Sequence, residues 1–378
     1  MTTSAFPHRS GSERAGRHHS PPEQLGVRLS DPGDLLAAIP AFLGFRPERS
    51  IVALCLTENS TVGAVMRHDL VLGGGDTPTA PMYAAVDQFA VVCEREQATG
   101  VLVVLIDDRF ADPSATSRSE LATIVAEFED LLDRTSTELL DVFVTADIGE
   151  GCRWFGLLSG GRYGVQSDPV ASHVAVAQVV SGRAIRASRE DLEATVEAGP
   201  VGERIRIAEL IDDIRESAPR IQFAGRSDIR GDRRELELVL DHIARLPSGE
   251  AVAAHECADL AVALDNLVVR DSLLALAVGE YAGDAEQLWI LLARHLPDPE
   301  RATAAALLGY SAYVRGDGPL AGVAFCAALE SDPDHALAAL LDKALQSGLR
   351  PGAVRELAGL GYDSARKIGV ILPPPIDT

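Results

Sequence analysis

The pattern of apolar positions changes character once along the chain, near residue 200. Before that point short apolar runs alternate with stretches whose apolar residues recur every three or four positions, and after it only the second kind continues. The first half therefore predicts alternating strands and helices, and the second half helices alone. Asp31-Pro32-Gly33-Asp34 opens the first helix, with Asp31 placed to cap the free N–H groups and Pro32 at the first helical position. Leu35 to Leu43 continue it and Gly44 stops it. Ile51 to Leu56 reads as a buried strand, Glu58-Asn59-Ser60 as a turn, and Val62 to Leu70 as the returning arm of an antiparallel hairpin.

A flexible Gly73-Gly74-Gly75 link leads to a predicted helix over Met82 to Glu96 and then to the most apolar strand, Val101 to Ile106, expected at the sheet's centre. Residues 118–134 place Leu121, Ile124, Val125, Phe128, Leu131 and Leu132 on one helical face, and Leu139 to Thr145 forms the next strand. This order predicts right-handed crossovers and a mixed, largely parallel sheet. Arg153 to Leu158 adds an edge strand, helices follow at Val170 to Val180 and Arg189 to Ala198, and Gly199-Pro200-Val201-Gly202 marks the domain boundary. The expected plan is an α/β domain over residues 29–200 and an all-α domain over 201–378.

Within the helical half, residues 302–335 resemble a tetratricopeptide repeat. Leu308-Gly309, Gly316, Ala321, Phe325, Ala328 and Pro333 stand at the spacings of that repeat, while Ala305 and Ala312 replace its usual Trp and Tyr. Residues 268–301 and 336–369 carry weaker helix-turn-helix character around Gly283, Pro297 and Gly348. An isolated repeat cannot bury its own apolar face, so the expectation is a short tetratricopeptide-like solenoid with a surface for protein partners; the alternative is an ordinary helical bundle.

Composition narrows the classes. Acidic residues outnumber basic ones 56 to 34 over 378 residues, and the net charge of −22 disfavours binding to nucleic acid or to anionic membranes. No apolar run reaches the roughly 18 residues of a membrane span. Residues 1–28 are rich in Ser, Pro, Arg and His and nearly free of apolar side chains, which predicts a disordered tail. Cys55, Cys93, Cys152, Cys257 and Cys326 are odd in number, widely spaced and without a CxxC pattern, so buried free thiols in a reducing cytoplasm are expected and no metal site is.

Leu29-Ser30-Asp31-Pro32-Gly33-Asp34-Leu35-Leu36-Ala37-Ala38-Ile39-Pro40, continuing through Leu43-Gly44-Phe45-Arg46-Pro47 to Ser50-Ile51-Val52, resembles the opening of an uncharacterised actinobacterial family of unknown function. The resemblance continues through Arg67-His68-Asp69-Leu70, Arg153-Trp154, Asp168-Pro169-Val170-Ala171-Ser172 and Ser188-Arg189-Glu190-Asp191-Leu192. Members that it resembles carry a cysteine-rich turn after the Arg-Trp pair; here Ser159-Gly160-Gly161-Arg162-Tyr163-Gly164 takes its place. The resemblance implies a host group and a domain plan, and no reaction.

Candidate chemistry lies where apolar runs end, because α/β sheets bind ligands at the carboxyl ends of their strands. Those ends carry Asp69, Asp107, Asp108 and Asp147, which could hold a hydrated Mg²⁺ over a phosphate or simply cap turns. Arg46, Arg49, Arg67 and Arg153 could clamp an anion in bidentate fashion or pair with the surplus carboxylates. Trp154 is expected in the core rather than on a ligand. Gly73-Gly74-Gly75-Asp76 lacks the Gly-Lys-Ser/Thr ending of a phosphate loop, Gly160-Gly161-Arg162-Tyr163-Gly164 is not followed by a helix within the required distance, no nucleophile elbow is present, and no cofactor is expected. Two functions stay open: a cytoplasmic adaptor that binds protein through its C-terminal helices, and a metal-assisted enzyme acting on a phosphorylated or anionic small molecule through Asp69, Asp107 and Asp147.

Overall fold

The computed structural model describes residues 3–4, 31–58, 61–72, 79–111, 115–133, 135, 137–158, 160–180, 185–217 and 228–376. The Gly73-Gly74-Gly75 link, Ser159 and the tail expected over residues 1–28 lie outside these, except that Thr3–Ser4 (β1) pairs in parallel with a two-residue strand at Val370–Ile371. Contacts divide the chain into two compact units, Gln24–Leu192 and the remainder. Gly199, in the turn that punctuates the sequence, belongs with the helices: its N–H donates to Arg294 O at 2.7 Å, and Arg294 and Arg301 donate to Ala194 O and Val196 O.

In the sheet unit the first helix, α1 (Pro32–Leu43), forms where local chemistry requires it. The Asp31 carboxylate accepts from Gly33 N at 2.7 Å, and Gly44 ends the helix at φ 74°, a left-handed conformation that glycine adopts without steric cost. β2 (Ser50–Leu56) and β3 (Val62–Asp69) make the expected antiparallel hairpin. α2 (Ala80–Arg95), β4 (Gly100–Ile106), α3 (Ala115–Leu132) and β5 (Glu138–Thr145) follow, and then β6 (Arg153–Gly156), β7 (Tyr163–Val165), α4 (His173–Val180) and α5 (Arg189–Glu193).

The six-stranded sheet has the order β3-β2-β4-β5-β6-β7. It is mixed, and the expectation of a largely parallel sheet is corrected: β4 and β5 are the one parallel pair of neighbours, while the other adjacent pairs are antiparallel. The cause is the position of β2. It occupies the slot between β3 and β4, so the crossover through α2 joins two strands that run the same way without touching. β6 and β7 return through short turns, which pair strands antiparallel.

Alternation along the strands sends Ile51, Ala53, Cys55, Val103 and Val144 toward α2 and α3, where Met82, Phe89 and Phe128 complete the core. The intervening set, Val52, Leu54, Val104 and Ile106, is equally buried, so the central strands are dry on both faces. Trp154 is in the core, edge-on to Phe143 at 5.4 Å, and its indole N–H donates to Val165 O. Gly164 opposes it across the ladder, where a Cβ would lie 2.7 Å from the indole ring, so only glycine fits.

The helical unit contains α6 (Val201–Ser217), α7 (Ile229–Arg245), α8 (Ala254–Asp265), α9 (Leu267–Leu273), α10 (Ala282–His295), α11 (Arg301–Val314), α12 (Gly318–Ser331), α13 (Ala336–Gln346), α14 (Pro351–Arg355) and α15 (Leu357–Lys367), and β8 (Val370–Ile371) follows. Its tightest pair is α11 with α12, joined by a short link in which Gly316 has φ 83° and the Asp317 carboxylate caps α12 by accepting from Leu320 N. Gly309 lets the Phe325 ring lie against the helix backbone; a Cβ there would meet the ring at 2.4 Å. Ala321 and Phe325 are fully buried, as the repeat-like spacing predicts. No helix among the described residues is long and apolar enough to cross a membrane.

Candidate functional site

β3, β4 and β5 run in the same direction, so their carboxyl ends lie along one edge of the sheet, and the start of β2 meets them there: Ser50 pairs with Asp69 on one side and with Ile106 on the other. The loop between α1 and β2 brings Arg46 and Arg49 to this edge. Arg49 sits at φ 38°, a strained conformation for a residue with a side chain, and its carbonyl accepts from Leu70 N at 2.7 Å.

Each strand-end carboxylate is joined to an arginine. Both oxygens of Asp147 accept from Arg46, through Nε at 3.1 Å and through Nη2, and Asp147 Oδ1 also accepts from Ile148 N. Arg49 holds Asp108 in the same two-pronged way at 2.9 and 3.1 Å, and this contact lowers the carboxyl's pKa below its ordinary range. Asp107 is wholly buried; it accepts from the backbone N–H and the guanidinium of Arg109, the latter at 2.7 and 2.5 Å. Arg67 bonds Asp69 at 2.5 Å, donates to Ser50 Oγ at 2.9 Å, and lies over the Phe45 ring. Burial pulls the Arg67 pKa down and the Asp69 charge opposes that shift. Arg153 is exposed at the head of β6; its carbonyl accepts from Thr145 Oγ1 at 2.9 Å, and its guanidinium pairs with no carboxylate among the described residues.

A second layer of polar groups braces the β5 end of the rim. Gln166 is buried just past β7; its amide N–H₂ donates to Thr145 Oγ1 and Asp147 O, both at 2.8 Å, and its Oε1 accepts from Gly149 N. Cys152 lies beside the turn, and burial together with the Asp147 carboxylate pushes its thiol pKa up. The sequence reading named the aspartates and arginines but missed Ser50, Arg109, Thr145 and Gln166. The signal for Ser50 and Thr145 is a polar residue that begins or ends an apolar run; both are fully buried, a combination that only partnered groups tolerate.

Concave surfaces occur in both units among the described residues. In the sheet unit, a shallow cleft of about 650 Å³ runs beside β6 and β7, past Trp154 and the Gly160-Gly161-Arg162-Tyr163 turn. In the helical unit, a groove of about 830 Å³ lies between α15 and the chain after it, lined by Leu360, Tyr362, Ile371, Pro374 and Pro375. Leu360 and Ile371 are 59% and 53% exposed there. Among the described residues no group of three or more His, Cys, Asp or Glu side chains is placed to hold a metal ion.

A mixed sheet with an ion-paired rim, followed in the chain by a helical unit, is thus the architecture that carries any function. The chain belongs to the family described as Domain of unknown function (DUF4192), whose model matches residues 32–352. No curated protein and no solved structure matches it.

Proposed function

We propose that the protein is a non-catalytic adaptor of the actinobacterial cytoplasm whose helical unit receives a protein partner. The observation that carries this reading is the state of the strand-end carboxylates. Asp69, Asp107, Asp108 and Asp147 are each spent on an arginine, so the groups that a catalytic role needs free are neutralised by one another. The helical unit offers instead a groove with exposed Leu360 and Ile371. The α11–α12 pair, read as one tetratricopeptide-like repeat with degenerate flanks, supplies the rigid frame. The charge of −22 turns the protein away from nucleic acid and anionic membrane surfaces.

A second reading rests on the shared direction of β3, β4 and β5. It takes Asp107 and Asp147, on neighbouring strands, as ligands of a hydrated Mg²⁺, with Asp69 further along the edge and Arg46, Arg67 and Arg153 clamping a phosphorylated or anionic substrate. The arginines must then release their carboxylates.

One set of full-length variants separates the two. Chemical cross-linking in native extract, followed by affinity capture, should recover a defined partner with the wild type and with Asp147→Asn. Leu360→Asp combined with Ile371→Asp should lower that recovery at least tenfold. If groove variants capture as well as the wild type, and Mg²⁺ titration gives a heat that Asp147→Asn abolishes, the enzyme reading replaces the adaptor.

A further inference from the structure

Two cysteines meet inside the sheet unit. Cys55, near the end of β2, and Cys93, in the last turn of α2, are each 1% exposed, and their sulfurs are 3.4 Å apart. They lie in the core between the sheet and α2, with Ala53, Val101, Phe89 and Ala90 in the same cluster. Two thiols in contact across a strand and a helix need only about 1.4 Å of approach to reach the roughly 2.05 Å of a sulfur–sulfur bond. Rotation at two Cβ–Sγ arms with a small shift of α2 covers that distance. We propose that Cys55 and Cys93 are a redox modification site, oxidised by a peroxide to a disulfide that fastens α2 to β2.

The chemistry closes on these two residues and one peroxide. The Cys93 sulfur attacks a peroxide oxygen; the S–O bond forms, the O–O bond breaks, and the released hydroxide takes the thiol proton as water. The Cys55 sulfur then attacks Cys93 Sγ, the S–S bond forms, the S–O bond breaks, and the second hydroxide leaves as water with the Cys55 proton. Two thiols lose two electrons in all, and hydrogen peroxide becomes two waters. The contact between the two sulfurs lowers the pKa of Cys93, while that contact and burial raise the pKa of Cys55. The other cysteines are differently placed. Cys257 is buried with its thiol pushed up to about 12, Cys152 is half-buried, and Cys326 is exposed.

Because both sulfurs are covered, the peroxide reaches them when α2 opens, so the oxidation rate follows local opening. The product closes a loop between positions 55 and 93 and restricts the unfolded chain.

The test treats the full-length chain carrying Cys152→Ser and Cys326→Ser, which leaves three of the five cysteines, with hydrogen peroxide under native conditions. Thiols counted after unfolding should fall from three to one. A non-reducing digest should contain a peptide pair joining Cys55 to Cys93, about 2 Da lighter than the sum of its parts and released by a phosphine reductant. The oxidised protein should unfold at higher denaturant than the reduced one when Trp154 is followed. Peptide mapping of the wild type gives the same readout without substitutions should the double variant fold poorly. Three thiols that persist, or their loss to sulfinic acids with no joined peptide, would overturn the proposal.

Discussion

The rim of the sheet and the α11–α12 pair solve opposite problems with opposite materials. At the rim, two of the four charged pairs meet across long sequence separations, Arg46 and Asp147 being 101 residues apart and Arg49 and Asp108 59 apart, while Arg67–Asp69 and Arg109–Asp107 are local. Most of these pairs are near water, where the attraction is screened and each contributes little to stability. In the helix pair almost every contact is apolar, local in sequence and sealed, with Gly309 and Ala321 giving the closeness and Phe325 the filling. The lesson is that the part of this molecule with the richest chemistry is not the part on which its stability most depends. Charge at the rim positions loops, and small residues in the helices hold the frame.

The sharpest way to break that contrast is to remove the ring. Phe325→Ala deletes a side chain with 0% exposure and should cost about 3 to 5 kcal/mol, the largest single effect expected here. Gly309→Ala should cost about 1 to 3 kcal/mol in the wild type, because the new methyl group strikes the ring, and far less once Phe325 is Ala. The two tryptophans make the measurement unit by unit: Trp154 belongs to the sheet unit and Trp289 to the helical one, and both are buried. Urea unfolding of Trp154→Phe and Trp289→Phe backgrounds should show the shift in the Trp289 signal. An equal shift in the Trp154 signal would mean that the two units unfold together, and the contrast drawn above would fail.

Asp107 tests the other side. It is the one rim carboxylate with no exposure, and it satisfies a backbone N–H as well as the Arg109 guanidinium. Asp107→Ala should therefore cost about 1 to 3 kcal/mol in the Trp154 signal, because a buried carboxylate is removed and the Arg109 N–H and guanidinium lose their acceptor. Asp147→Ala, at a carboxylate that is 41% exposed, should stay within about 1 kcal/mol. Equal costs at the two positions would show that burial does not rank the rim pairs.

How much of this was legible in the sequence follows the same division. α1 was readable because its signals are local: Asp31, Pro32 and Gly44 act on backbone groups within a turn of themselves. The β2–β3 hairpin was readable for the same reason, and so were the two helices around Ala321 and Phe325. The slot taken by β2 was not, since an apolar run states that a strand is buried on both faces and not which neighbours it has. β7 escaped because Tyr163-Gly164-Val165 is three residues long and contains the glycine that Trp154 requires. At the rim, residue types were visible, and the choice of Arg46 for Asp147 and Arg49 for Asp108 was not, because the fold alone makes those pairs.

His335 is one of the buried titratable groups of the helical unit, and it gives the smallest and most selective test. It caps α13: its Nδ1 accepts from Ala338 N at 3.2 Å, and its Nε2 lies 3.2 Å from Thr303 Oγ1. Accepting through Nδ1 requires the neutral ring, with the proton on Nε2 toward Thr303. Burial, and after it the charge of Arg270, lowers the pKa of this histidine below its ordinary value. The unfolded chain therefore takes up the proton more readily than the folded one. The stability that the neutral ring supplies is complete above the unfolded value near 6.5 and is lost as the pH falls through the lower folded value. The loss should be about 1 kcal/mol, the usual worth of an N-cap, and should appear in the Trp289 signal. His335→Asn keeps a capping acceptor and cannot titrate, so it should flatten this part of the profile below pH 6.5. If the wild type and His335→Asn lose stability in parallel over that range, the cap is not the group that senses the proton.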